Sequence, residues 1–368
     1  MACSERTSPK DMRIAIVSTC ALPVPPVAYG GTELVIAELA KALTRFGHDV
    51  TVFATGDSRP CAELRWCFSS PVWPPDDTAE LLHASRAWAS IVGERPPFDV
   101  VHLHQAPAVA FTAIHQLPTV LTMHHGRVAN LAKYYAAFPD VSYVAISRRQ
   151  ADLVPELDVR HVVHHGIDVD AYCAGDGRGG WLAFVGRFAP EKGVHVAIEA
   201  SLSTGVPLRL GGAPHEPNKD YFEREVRPRL ARAGDLVHWK GEVNLPAKLT
   251  ILGGAKAALF PIQWEEPFGL AMIESMLVGT PVIAFARGAV PEIIDEGVTG
   301  FVVRDLDEMI EKIRCVGALD RDRCRRRARQ RWASARMARE YERVYEQTIR
   351  AHHAERKNGA QVQDGGGA

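Results

Sequence analysis

The chain has 368 residues, which at about 150 residues per domain allows two domains. Its formal charge of −1 leaves no global basic field to hold nucleic acid or an anionic membrane, and 46% hydrophobic with 24% charged residues excludes a disordered or fibrous chain. The seven cysteines are odd in number and scattered, with no CxxC pair, which argues against a zinc site or disulfide framework and for a reducing, cytoplasmic setting.

Residues 1–11 are polar and read as a disordered tail. Arg13-Ile-Ala-Ile-Val-Ser is a short apolar run; Ser18, Thr19 and the prolines Pro23, Pro25 and Pro26 cut it too short for a signal peptide or a membrane span, so it reads as a buried strand. A loop closing on Tyr29-Gly30-Gly31-Thr32-Glu33 follows. Val35, Leu39, Leu43 and Phe46 then recur at helical spacing, with Gly47 suited to the helix end, and His48 to Ala54 forms the next strand. This is a βαβ unit. The alternation predicts further strands near 99–103, 119–123, 141–146 and 161–164. A glycine-rich stretch at 172–180 breaks the pattern and marks a domain boundary. A second series of strands lies at 181–185, 207–210, 236–239, 256–260, 282–285 and 300–303. The fold class is α/β, with two Rossmann-like, doubly wound parallel-sheet domains at 12–171 and 172–335. The arginine-rich residues 320–334 read as a solvated helix face, with contact to an anionic partner as the second reading. A last helix is expected over 336–356, and the glycine-rich 357–368 as a disordered tail.

Open α/β sheets bind ligands outside the carboxyl ends of their strands, so the loops there are the candidate sites. In the first, Gly30 and Gly31 open a helix whose N-terminal amides and positive dipole end suit a phosphate. In the second, Gly186 to Gly193, Arg187 and Lys192 supply two cations that together neutralise a diphosphate. In the third, Trp264 to Glu274, the amides around Phe268, Gly269 and Leu270 face an anion, while Glu266 and Glu274 offer carboxylates to hydroxyls at different depths. The apolar neighbours of Glu274 (Met272, Ile273, Met276, Leu277) argue that it is not a surface residue. In the fourth, His124 ends a strand as a hydrogen-bond donor to the crevice. Eight of the fifteen histidines lie between His102 and His165, but His124-His125 and His164-His165 are adjacent pairs that point to opposite sides of a strand, which fits one metal badly. No metal site is expected from them, nor from the short Asp-x-Asp triplets.

Arg187…Lys192 followed by Glu266-x7-Glu274 resembles the retaining glycosyltransferases of family 4, which have the GT-B fold. Also matching are Tyr29 to Glu33, Gly47-His48, Thr55 to Ser58, His164 to Val169, Glu191-Lys192-Gly193, Gly279 to Ile283, Pro291-Glu292 and Gly297 to Phe301. The likeness covers roughly residues 13–350. It implies a C-terminal domain that binds a nucleotide-diphosphate sugar and an N-terminal domain that binds the acceptor, with the last helix crossing back to the N-terminal domain. Arg187 and Lys192 would hold the diphosphate, Glu274 the ribose, and Glu266 with the Phe268-Gly269-Leu270 backbone the sugar. Gly30 and Gly31 would close on the diphosphate, and His124 would sit by the sugar and the acceptor. The implied activity is metal-independent hexosyl transfer with retention, from UDP-glucose by default, to a hydroxyl of a small soluble acceptor; no cofactor is implied beyond this co-substrate. A GT-B-fold sugar-nucleotide epimerase and a catalytically silent nucleotide-sugar-binding partner are the alternatives. Two departures stand out: His165-Gly166 where the family commonly has Asn-Gly, read as a turn change, and Ser275 where it has Ala. The acceptor would meet loops 59–97 and 124–137. There Trp66, Phe68, Trp73 and Trp88 either stack on it or belong to the core, and Arg127, Lys133, Tyr134, Tyr135 and Phe138 leave room for peripheral membrane contact.

Overall fold

The computed structural model describes residues 11–27 and 30–364, with side chains described through Arg356. Most of the expected N-terminal tail, Tyr29 of the first glycine loop and residues 365–368 lie outside the described residues. The first sheet contains β1 (Arg13–Val17), β2 (Asp49–Ala54), β3 (Glu63–Trp66), β4 (Val100–Leu103), β5 (Thr119–Thr122), β6 (Ser142–Ala145) and β7 (His161–Val162), ordered β3-β2-β1-β4-β5-β6-β7. The second contains β8 (Leu182–Val185), β9 (Leu208–Gly211), β10 (Val237–Trp239), β11 (Ala257–Phe260), β12 (Val282–Phe285) and β13 (Gly300–Val303), ordered β10-β9-β8-β11-β12-β13. Every pairing is parallel.

The central strands are short apolar runs because helices cover both faces of each sheet: β4, β8, β11 and β12 are buried at every position. The edge strands are less covered, and one of them, β3, is not announced by the sequence pattern. Its Glu63 and Arg65 carry the charge that keeps an edge from pairing further, and Arg65 reaches Glu94 at 2.7 Å. Of the four loop aromatics, Trp88 is fully buried in the core and its Nε1 donates to the Ala108 carbonyl, whereas Trp66 and Trp73 are exposed.

The strand order reverses between β1 and β4 in the first sheet and between β8 and β11 in the second. These two switch points are where a doubly wound sheet opens a crevice. The chain crosses to the second sheet at Ile167 and returns at Ala333, and the crossings are bonded to each other: Ile167 N–H donates to the Trp332 carbonyl and Ser334 N–H to that of Ile167, both at 2.9 Å. The returning helix, Ser334–Asp364, seats Met337, Ala338, Tyr341 and Tyr345 in the core of the first domain. It starts two residues before the expected range and runs eight beyond it, into the stretch read as a disordered tail.

The arginine-rich helix Arg321–Arg331 is not simply a solvated face. Arg321 donates to the carbonyls of Ala255 and Gly253, Arg325 to that of Tyr172, and Arg329 to that of Val169. Arg331 pairs with Asp295, and Arg336 at the start of the next helix donates to the His165 carbonyl. Side chains spaced three or four apart share one helix face, and here that face grips the backbone of the interdomain segment at Val169 and Tyr172 and of the turn before β11 at Gly253 and Ala255. Among the described residues, no helix is long and apolar enough to cross a membrane.

Candidate active site

The carboxyl ends of the two sheets face each other across a cavity of about 610 Å³. Loops after β8 and β11 form one wall and are drawn together at Gly193. Its φ of 71° is a left-handed conformation, and a Cβ there would lie 2.0 Å from the Pro261 carbonyl oxygen. Gln263 N–H donates to the Glu191 carbonyl at 2.8 Å, closing the contact. This approach carries Lys192 to Glu266, with Nζ 2.5 Å from Oε2. Trp264 Nε1 donates to the same oxygen at 2.9 Å, and its ring centroid lies 5.0 Å from the ammonium. The loop after β12 supports Glu266 from behind, through the Ala289 N–H on its carbonyl. Arg187 also lines the cavity; its Nη2 meets Glu191 at 2.6 Å, while its buried Nε–H has no partner among the described residues.

Gly269 caps the helix Leu270–Leu277 with a φ of 96°. The Leu270 and Ala271 amides at its start have no helical partner and open onto the cavity lined by Phe268, Gly269, Leu270 and Ala271. This helix is apolar nearly all round, which suits a buried element. Its one carboxylate, Glu274, is 3% exposed and satisfied by Lys248 and Tyr172, as burial requires. Opposite stands the helix Gly31–Arg45, capped by Gly30. A Cβ on Gly31 would sit 3.2 Å from Leu270 Cδ1, so the two helix N-termini approach from opposite domains.

His124 lies two residues beyond β5 on the cavity wall, with its Nε2 2.7 Å from His104 Nδ1. Its ring stacks on His165 at 5.3 Å, and His165 meets Phe268 edge-on at 4.9 Å. Burial drives the pKa of His124 down to about 3, with His125 adding to the effect, and holds His104 and His165 well below the ordinary value. All three rings are therefore neutral at pH 7 and act through hydrogen bonds rather than as acids. His165 is thus more than the turn change expected of it: at 3% exposure it packs between the cavity's histidine and phenylalanine.

The ten residues expected at the site, His124, Arg187, Lys192, Glu266, Gly30, Gly31, Phe268, Gly269, Leu270 and Glu274, all line this one cavity. Sequence reasoning missed Lys248, Tyr172 and Trp264 as partners of the two glutamates, and His165 as the neighbour of His124. Lys248 and Tyr172 lie 26 and 102 residues from Glu274, and no local pattern announces them, whereas Trp264 is two residues from Glu266 and its loop was already a candidate. Across the cleft, Glu292 accepts from the Arg148 and Arg149 amides at 2.8 and 2.7 Å and meets His164 at 3.0 Å, while Arg149 pairs with Glu265 at 2.7 Å. Among the described residues, no group of three His, Cys, Asp or Glu side chains is arranged to hold a metal ion.

Two doubly wound domains closing on a cleft with paired cations and paired carboxylates define a glycosyltransferase of the GT-B class. The family model for glycosyl transferases group 1 matches residues 177–331, and that for Glycosyltransferase Family 4 matches residues 29–171. The chain belongs to glycosyltransferase family 4. It is 27% identical to a glycogen synthase of Mycobacterium tuberculosis, over 83% of this chain and 86% of that protein. It is also 27% identical to a D-inositol 3-phosphate glycosyltransferase of Streptomyces avermitilis, over 81% and 78%. Among solved structures, a glycosyltransferase involved in avilamycin A biosynthesis superposes with a TM-score of 0.74 at 25% identity, covering 92% of this chain and 98% of its own. The sucrose-phosphate synthase of Thermosynechococcus elongatus shares the fold with a TM-score of 0.78 at 18% identity, over 92% and 100%.

Proposed function

We propose that the protein transfers a hexose, with retention of anomeric configuration and without a metal ion, from a nucleotide-diphosphate sugar to a hydroxyl of a small acceptor. The observation that carries this reading is the convergence of Arg187, Lys192, Glu266 and two opposed helix N-termini on one cavity at the switch points of both sheets. UDP-glucose is the first donor to test, since an Anabaena protein of the same fold was crystallised with it. The six described cysteines are free thiols, which supports a cytoplasmic setting.

In this reaction the bond between the anomeric carbon and the phosphate oxygen breaks, and its electron pair stays on the phosphate. Arg187, through its unpartnered Nε–H, and Lys192 meet that growing charge, together with the first-turn amides of the helix Leu270–Leu277. Gly30 and Gly31 bring the opposing helix N-terminus against the same diphosphate. The acceptor oxygen bonds to the anomeric carbon from the face the phosphate leaves, and its proton passes to the departing phosphate oxygen. Glu266 keeps Oε2 on Lys192 and Trp264 and offers Oε1 to a sugar hydroxyl. Glu274 serves the ribose. His124, neutral and bonded to His104, offers its remaining ring nitrogen to the sugar or the acceptor.

Incubation with UDP-, ADP- and GDP-glucose and a panel of sugar and polyol acceptors tests the reading, with proton NMR of the product. An α-linked glucoside is expected. A β-linked product refutes retention, conversion of donor without acceptor indicates an epimerase, and donor binding without turnover across the panel indicates a silent binder.

A further inference from the structure

We infer that Lys248 is a second recognition residue for the ribose diol of the donor, donating to one hydroxyl beside the Glu274 carboxylate already assigned to the ribose. The inference rests on the donor site proposed above.

Lys248 Nζ lies 2.7 Å from Glu274 Oε1 and 2.9 Å from Oε2, and Tyr172 OH donates to Oε1 at 2.9 Å. A carboxylate has about four lone-pair sites and an ammonium has three N–H groups. Three bonds to the carboxylate and two from the ammonium leave one acceptor site and one donor side by side. Lys248, Tyr172 and Glu274 all line the cavity, so this leftover pair opens where a ligand would lie. A vicinal diol fits it, since each hydroxyl both donates and accepts.

The pair is poorly explained as a stability device. Glu274 is 3% exposed and the Lys248 side chain 18%. Buried ion pairs lose most of their attraction to desolvation, and apolar replacements are often neutral or stabilising. The helix Leu245–Gly253, from which Lys248 projects, otherwise turns Leu249, Ile251 and Leu252 to the core, so an apolar residue would fit position 248. The arrangement is also held still from a second side: the Tyr172 carbonyl accepts from Arg325 Nη2 at 3.0 Å, and Tyr172 is 4% exposed. A rigid, half-satisfied ion pair on a cavity wall suits recognition.

The test is a cycle between protein and ligand, read by calorimetry. UDP, ADP and GDP, each with its 2′-deoxy and 3′-deoxy forms, are titrated into the wild-type chain and into Lys248→Met. The wild type is expected to bind at least one nucleoside diphosphate and to lose on the order of tenfold or more for a missing hydroxyl, as for a hydrogen bond to a charged group. In Lys248→Met the parent nucleotide weakens and the penalty for one of the two deoxy forms falls to near unity. Should that variant not fold, Lys248→Leu supplies the same readout. Equal deoxy penalties in wild type and variant overturn the inference while leaving the donor site intact. Failure of the wild type to bind any nucleoside diphosphate overturns the donor site, and the inference with it.

Discussion

Replacing Lys192 with alanine separates the catalytic from the structural role of the cation. In the unliganded protein Lys192 is bonded to Glu266 at 2.5 Å, with its side chain about one quarter exposed. Solvent screening reduces such a pair to about 1 kcal/mol, which for domains of this size moves the unfolding midpoint by roughly 2–4 °C. Glu266 keeps its bond from Trp264 Nε1, so its carboxylate is not left bare. The effect on transfer is larger. A preorganised donor aimed at charge that develops only in the transition state contributes about 2.7–4 kcal/mol, or 10²–10³ in kcat. Because the charge on the leaving phosphate grows during bond breaking, the loss falls on kcat more than on KM. The assay is release of nucleoside diphosphate against donor concentration at saturating acceptor, with a thermal melt of each preparation. A variant that melts near wild type and turns over within about threefold of it, less than 1 kcal/mol, refutes the assigned role.

Other parts of the structure make independent predictions. Burial lifts the Glu80 carboxyl to about 7, so its contribution to stability is present below about 4.5 and is lost as pH rises through 7; Glu80→Gln, which keeps the acceptor for the Cys20 amide, should raise the unfolding midpoint at pH 8 and not at pH 4, and equal shifts at both would contradict this. Glu292→Ala removes the carboxylate that caps the Arg148 and Arg149 amides across the cleft, at a cost of about 1 kcal/mol; small-angle scattering should then show a larger radius of gyration, and an unchanged profile would count against an interdomain tie. Trp88→Ala opens a cavity in the first domain and should cost about 3–5 kcal/mol, whereas the exposed Trp66→Ala should stay within about 0.5 kcal/mol; comparable urea midpoints for the two would reject that contrast.

The legible parts of the fold were those with a strong local pattern. Twelve of the thirteen described strands, most of them short apolar runs bounded by turn residues, are placed by the pattern to within a residue or two. The strand it does not place, β3, alternates charge with Leu64 and Trp66 because it lies on an edge, where one side needs no apolar cover. The site was legible for a related reason. In a doubly wound sheet the loop after a strand faces the crevice, so Arg187, Lys192 and Glu266 could be placed there without tertiary information. Two kinds of information were hidden. A cation's environment depends on what packs against it: the arginines at 321, 325 and 329 have the composition of a solvated face, yet Arg325 and Arg329 hold backbone carbonyls of the interdomain segment and Arg321 one just before β11. Partners brought together only by the fold were hidden as well. Lys248 reaches Glu274 across 26 residues and Tyr172 across 102, and His165 meets His124 only after the chain has traversed β6 and β7.

The account depends on one cleft binding a nucleotide-diphosphate sugar through Arg187 and Lys192. Isothermal titration of UDP-, ADP- and GDP-glucose into the wild-type chain and into the Arg187→Ala/Lys192→Ala double variant tests it most directly. At least one donor should bind the wild type, and the folded double variant should lose that binding by 10²-fold or more, as the removal of two charge-assisted contacts requires. Undiminished binding by the double variant would contradict the account.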